Sequence, residues 1–170
     1  MNSEKILGID VQFKKFTDGR GDLIPIEIGE DFKNADVPFE VRRCYFIAVP
    51  TNEGPDCTRG NHAHHNLEQV MVCVNGSFTL TLDDGLGNIE HRRMSKDDHG
   101  VHLKGLLWRQ LSMFSPNCVI AVFASQHYQE DDYIRDYEQF LKSVAIKNRL
   151  PYPMPQRDTR ETHVNFYSRG

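Results

Sequence analysis

Between Val11 and Ser125 the chain runs as short apolar or alternating stretches broken by turn residues, the pattern of an all-β sandwich or barrel. The clearest piece spans Leu67 to Leu82. Val70, Val72 and Val74 precede Asn75-Gly76, and Phe78, Leu80 and Leu82 alternate with Thr79 and Thr81 beyond it. Asn-Gly suits the positive φ values of a tight hairpin turn, so two antiparallel strands are expected here. Turn residues recur at Asp83-Asp84-Gly85 and Gly87-Asn88, and a charge-rich strand follows from Ile89 to Met94. Further strands are expected at Leu23 to Ile28, Val41 to Val49, Val101 to Leu103, Leu106 to Phe114 and Val119 to Ala124. The period changes near Asp131. Tyr133, Ile134, Tyr137, Phe140, Leu141 and Val144 recur at helical spacing, and Asp131 and Asp132 suit the positive end of a helix dipole. The expected fold class is therefore all-β with one C-terminal amphipathic helix. Leu150-Pro151-Tyr152-Pro153-Met154-Pro155 cannot continue a helix, because proline lacks the amide donor. One folded unit is expected over residues 1–145 and an extended, Pro-containing tail over 146–170, with 51–56 as a loop insertion.

Composition narrows the function classes. A chain of 170 residues suits a single domain large enough to enclose one pocket. The net charge of -4 and the absence of a dense Lys/Arg run argue against duplex nucleic acid as partner. No apolar run approaches the roughly 18 residues of a membrane span, and the opening MNSEKILGID lacks the apolar core of a leader peptide, so a cytoplasmic protein is expected. Cys44, Cys57, Cys73 and Cys118 show no C-x-x-C spacing and read as reduced thiols.

The informative segment is Arg59-Gly60-Asn61-His62-Ala63-His64-His65-Asn66-Leu67-Glu68-Gln69, which leads straight into the hairpin. Residues two apart in a strand share a face, so His62 and His64 project together and His65 points away. Such a pair can begin a metal site, which would also need a carboxylate before the hairpin glycine and a third histidine on a later strand. Counting back from Gly76, the carboxylate position holds Gln69, and the later strand offers Leu107-Trp108-Arg109-Gln110. A neutral amide and a guanidinium are poor ligands for a cation, so no metal is expected. Two histidines beside arginines suit instead an anionic ligand and proton transfer at carbon next to a carbonyl.

At these residues the sequence resembles the cupin-type sugar 3,4-ketoisomerase family, which acts on dTDP-4-keto-6-deoxyglucose in making 3-amino-3,6-dideoxyhexoses of O-antigen or S-layer glycans. The resemblance spans residues 10 to 143. It rests on Asp18-Gly19-Arg20-Gly21, Arg59-Gly60-x-His62-Ala63-His64, Leu67-Glu68-Gln69-Val70, Val74-Asn75-Gly76-Ser77, Leu82-Asp83-Asp84-Gly85 and Trp108. It closes on Ala124-Ser125-x-x-Tyr128-x-Glu130-x-Asp132-Tyr133-Ile134-Arg135-x-Tyr137. The resemblance implies a cupin jelly-roll β-barrel, a homodimer, no cofactor, and a dTDP-linked keto-deoxysugar bound inside. His62 is then the base at sugar C3, and His64 holds the oxygens or relays a proton. Arg20, Tyr45 and Arg59 are candidates for the nucleotide and pyrophosphate, with Gln69 and Arg109 nearer the sugar. His65 and Asn66 stand where related sequences carry lysine, and the 51–56 loop is longer than usual. Arg109 and Arg20 lean opposite ways on the C4 configuration of the product. Two other functions stay open: a dTDP-sugar 3,5-epimerase, whose His–Asp pair is not evident in the sequence, and a non-catalytic nucleotide-sugar-binding cupin.

Overall fold

A computed structural model describes residues 6–29, 35–50, 57–96 and 99–153; the 51–56 loop and the tail from 154 lie outside the described residues. The strands are β1 (Ile9–Val11), β2 (Phe16–Asp18), β3 (Gly21–Leu23), β4 (Arg43–Ala48), β5 (Arg59–His64) and β6 (Gln69–Asn75). They continue as β7 (Ser77–Asp83), β8 (Ile89–Ser95), β9 (Gly100–Leu103), β10 (Trp108–Ser112), β11 (Val119–Ala124) and β12 (Tyr133–Ile134), followed by the helix α1 (Tyr137–Asn148). Antiparallel pairing builds two five-stranded sheets, β1-β9-β6-β11-β4 and β12-β5-β10-β7-β8, with β2-β3 as a separate ribbon. This is the jelly-roll expected from the sequence, with two facing sheets that do not close into one continuous barrel.

The alternation read from the sequence sets the packing. Phe78, Leu80 and Leu82 of β7 are fully buried and meet Met71, Val101, Ile120 and Val122 between the sheets. Each such side chain contributes roughly 1.5–3 kcal/mol by leaving water. Val70, Val72, Ala121 and Phe123 point to the outer face of the first sheet, where Val11, Val37 and Phe39 cover them. β6 is therefore buried on both faces, and its inner face carries Gln69 into the interior. Cys73 and Cys118 are buried thiols, while Cys44 is exposed and Cys57 half-buried.

The antiparallel pair expected around Asn75-Gly76 does not form: β6 pairs with β9 and β11 and β7 with β10 and β8, so the turn carries the chain from one sheet to the other. Two expected elements end elsewhere. The strand expected from Leu23 to Ile28 stops at Leu23, because Pro25 has no amide to donate and Ile26 packs instead on the outer apolar cluster. The helix expected from Asp131 begins at Tyr137. Tyr133 and Ile134 have the right spacing for it, but their backbone pairs with His64 and Ala63 as β12. The Asp132 side chain is likewise engaged with β5 and the turn after it. α1 runs to Asn148, past the boundary expected at 145, and Arg149 closes it in the left-handed conformation with its N–H on the Ala145 and Ile146 carbonyls. Phe140 and Val144 seat the helix on Ala63, Trp108 and Ile134. Asp136 caps its start by accepting from the Gln139 N–H at 2.7 Å. Asp136→Ala is expected to lower stability by about 1 kcal/mol in a thermal melt, with activity retained.

Candidate active site

The site is organised by an irregularity in β5. Its pairing with β10 runs Arg109↔His62 and then Gln110↔Gly60, so Asn61 is an extra residue, a bulge with φ 52°. One extra residue reverses side-chain parity along a strand. Arg59 thereby reaches the face that carries His62, from which unbroken alternation would have turned it away. Gly60 makes the bulge possible, since its φ is +84° and a Cβ there would lie 2.9 Å from the Arg109 carbonyl oxygen. The same glycine's carbonyl meets His62 Nδ1 at 3.0 Å. A carbonyl can only accept, so Nδ1 carries the proton and Nε2 presents a free lone pair. Gly60→Ala is expected to destabilise the fold by about 1–2 kcal/mol and to lower kcat by loosening His62, as measured by melting and steady-state assay.

His62 opens onto a cavity of about 390 Å³, the size of a small-molecule site. β4 supplies Arg43, Tyr45 and Ile47, the inward members of a strand that alternates half-buried and exposed positions. β5 adds Arg59, Gly60 and His62; β6 adds Gln69 and Met71; β10 adds Arg109 and Leu111; Tyr128 and Tyr133 complete the wall. Among the described residues lining it there are three guanidinium groups and no carboxylate. That charge balance selects an anion, and arginine pairs bidentately with phosphate oxygens.

Polar groups deep in the wall are tied together. Arg109 is fully buried; its guanidinium donates to the Gln69 side-chain oxygen and, at 3.0 Å, to the Leu107 carbonyl. The Gln69 amide in turn donates to the Tyr45 hydroxyl at 2.8 Å. Burial pulls the Arg109 pKa down to about 10, which still leaves it charged at neutral pH. Burial pushes the Tyr45 phenol up, so it stays a neutral hydroxyl. Arg43 lies over the Tyr45 and Tyr128 rings, at 5.1 and 5.7 Å.

His64 stands directly behind His62. It is fully buried, its ring 4.8 Å from His62 and 4.3 Å from Tyr133. Its Nδ1 meets Asp132 Oδ2 at 3.0 Å. Burial, then the nearby Arg109 charge, lowers the pKa of His62 to about 4 and holds His64 well below its ordinary value. Both rings are thus neutral at pH 7.

Five of the residues singled out from the sequence, Tyr45, Arg59, His62, Gln69 and Arg109, line this one cavity, and His64 backs it. Arg20 is not brought there. It sits on the β2–β3 ribbon with its side chain 91% exposed and paired with Asp18 at 2.6 Å. The His–Asp pair not evident in the sequence does exist, formed by groups 68 positions apart, too distant for local spacing to reveal. Arg43, Tyr128, Tyr133 and Asp132 were not singled out. Arg43 lies two residues before Tyr45, so strand alternation pointed to it; the other three stand in the motif on which the resemblance closes, where an apparent helical spacing masked their part in the site.

Comparison with known proteins shows the family. Residues 9–145 match the family described as FdtA: WxcM-like, C-terminal. The TDP-4-oxo-6-deoxy-alpha-D-glucose-3,4-oxoisomerase of Aneurinibacillus thermoaerophilus is 41% identical over 138 residues, covering 81% of this chain and 93% of that protein. The crystal structure of a 3,4-ketoisomerase from Helicobacter canadensis superposes with a TM-score of 0.71 at 35% identity, over 81% of this chain and 96% of the other. A histidine-to-asparagine variant of the Thermoanaerobacterium thermosaccharolyticum 3,4-ketoisomerase, in complex with TDP-4-keto-6-deoxyglucose, gives 0.74 at 31% identity, over 83% and 96%. Two sugar epimerases, at 17% and 14% identity, share the architecture alone. The chain belongs to the FdtA, WxcM-like C-terminal family, the cupin-type sugar 3,4-ketoisomerases.

Proposed function

We propose that this chain, a sugar 3,4-ketoisomerase, moves the keto group of dTDP-4-keto-6-deoxyglucose from C4 to C3 through an enediolate, with His62 as the base. The observation that carries the reading is a histidine with a free Nε2 in a cavity that, among the described residues, is lined by three guanidinium groups and no carboxylate. Arg43 and Arg59 hold the diphosphate, with Tyr45 and Tyr128 beside them. His62 Nε2 takes the proton from C3, the charge that develops on O4 faces Arg109, and the proton returns at C4. Moving the O3 hydroxyl proton to O4 falls to His64. No step uses a metal, so turnover is expected to survive treatment with a chelator. In deuterated solvent, NMR of the 3-keto product should show label at C4; label at C5 instead would point to an epimerase and sink the proposal.

The base must be neutral to act, so activity is present above its pKa and lost as pH falls through it. With His62 held at about 4, kcat/KM of the free enzyme should stay flat from neutrality down to about pH 5 and drop about tenfold per pH unit below 4. A limb centred on the ordinary histidine value of 6.5 would count against His62 as the buried base.

The same reading has the chain work as a homodimer in the cytoplasm. Exposed apolar side chains support the pairing: Phe16 and Leu23 on the β2–β3 ribbon and Phe46 on the outer face of β4. Light scattering of the eluted protein checks it, with a monomer mass as the contrary result. No described helix is long and apolar enough to cross a membrane.

A further inference from the structure

Asp132 has no part in the scheme so far, yet it is 93% buried by the site, its relative exposure being 7%. Every group around its carboxylate is a donor. Oδ1 accepts from the Asn66 backbone N–H at 2.9 Å and from the Asn66 side-chain amide at 3.3 Å. Oδ2 accepts from the Leu67 N–H at 3.2 Å and meets His64 Nδ1 at 3.0 Å. The backbone of Asp132 also receives the His65 N–H, at 3.1 Å, and β12 pairs with β5 at His64. The carboxylate is therefore held in place from both sides and can only accept. Nδ1 of His64 must carry the proton, and a neutral ring then leaves the lone pair on Nε2. That Nε2 is buried with no hydrogen-bond partner among the described residues, in a ring that touches both His62 and Tyr133 of the cavity wall.

We propose that Asp132 is a positioning residue that locks His64 in the Nδ1–H tautomer, so that His64 Nε2 can receive the substrate hydroxyl proton. The inference rests on the ketoisomerase reading. In the step it serves, the O3–H bond breaks and an N–H bond forms at His64 Nε2. The resulting imidazolium is paired with the Asp132 carboxylate, which itself stays unprotonated. The same proton then passes to O4 of the enediolate, and His64 returns to neutral. His62 and His64 thus share one design. Each has Nδ1–H held by a fixed acceptor, the Gly60 carbonyl for one and Asp132 for the other, and each keeps Nε2 free.

A purely structural Asp132 would serve only to hold the 64–67 turn, and the two roles separate on measurement. Long-range proton–nitrogen NMR of histidine-labelled wild-type protein should show His64 as the Nδ1–H tautomer. In Asp132→Asn the amide oxygen can still receive the Asn66 N–H, while the amide NH2 faces Nδ1 and should flip His64 to Nε2–H. The expected kinetic result is a fall in kcat of about 10²-fold with KM within about threefold, in protein that melts cooperatively. An Nε2–H tautomer in the wild type overturns the proposal, whether or not the variant folds. So does a folded variant whose kcat stays near wild type. Wild-type protein that shows the Nδ1–H tautomer but fails to isomerise the nucleotide sugar would instead overturn the ketoisomerase reading and leave the tautomer lock standing.

Discussion

Replacing His62 with asparagine is expected to lower kcat by about 10³-fold or more while leaving the protein folded. His62 is the lining histidine of the described cavity, and its Nε2 carries the lone pair because Gly60 holds Nδ1–H. Asparagine can keep a hydrogen bond to that carbonyl but has no basic nitrogen to take a proton from carbon. Binding should change little, since the guanidinium groups that hold the diphosphate are untouched. The check is a progress curve for the 3-keto sugar together with deuterium wash-in at C4; both should vanish together, with the circular dichroism spectrum unchanged. Activity within about tenfold of wild type would remove His62 from the role of base.

The second large effect is expected at Arg109, where activity and stability should separate. Its guanidinium is fully buried, it bonds only the neutral Gln69 and Leu107 oxygens, and its Nε has no partner among the described residues. A buried charge without a paired carboxylate is costly to the fold. Arg109→Met retains much of the volume and removes the charge, so stability should stay within about 1 kcal/mol of wild type, the relief offsetting the two acceptors left open. Catalysis should fall by about 10²-fold in kcat/KM, because one well-placed donor to a developing oxyanion is worth about 3 kcal/mol. Melting curves and steady-state kinetics on the same preparation test this. A variant that unfolds, or one as active as wild type, would place Arg109 in the core rather than in the chemistry. The same charge explains why the cavity suits an anion: it lies opposite His62 in the β5–β10 pairing, where a cation would meet repulsion.

Much of this protein is legible as pattern. The alternation on either side of Asn75-Gly76 places β6 and β7, although the two strands join different sheets instead of pairing, and Val119 to Ala124 is β11 as expected. The same two-residue period set His62 beside His64, and counting back from Gly76 marked Gln69 as a site position. These are local properties, settled by strand geometry and turn chemistry within a few residues. Where the period misled, a neighbour distant in sequence had overruled it. Tyr133 and Ile134 fit a helix in isolation, but β5 offers their backbone amides and carbonyls a ladder, and the helix waits until Asp136 can cap it.

The amino-acid sequence by itself determined the all-β class, the places of most strands, the paired histidines and the amide at position 69 where a metal site would need a carboxylate, because each follows from residue type and short-range spacing. Only the tertiary structure decided which groups meet. The bulge at Asn61 turned Arg59 inward, the ribbon carried Arg20 away, and the approach of the 128–133 segment set Tyr128, Tyr133 and Asp132 against β5 and the cavity. The last of these depends on packing between segments more than 60 residues apart, as the 68 positions separating His64 from Asp132 illustrate, and no local period carries that information.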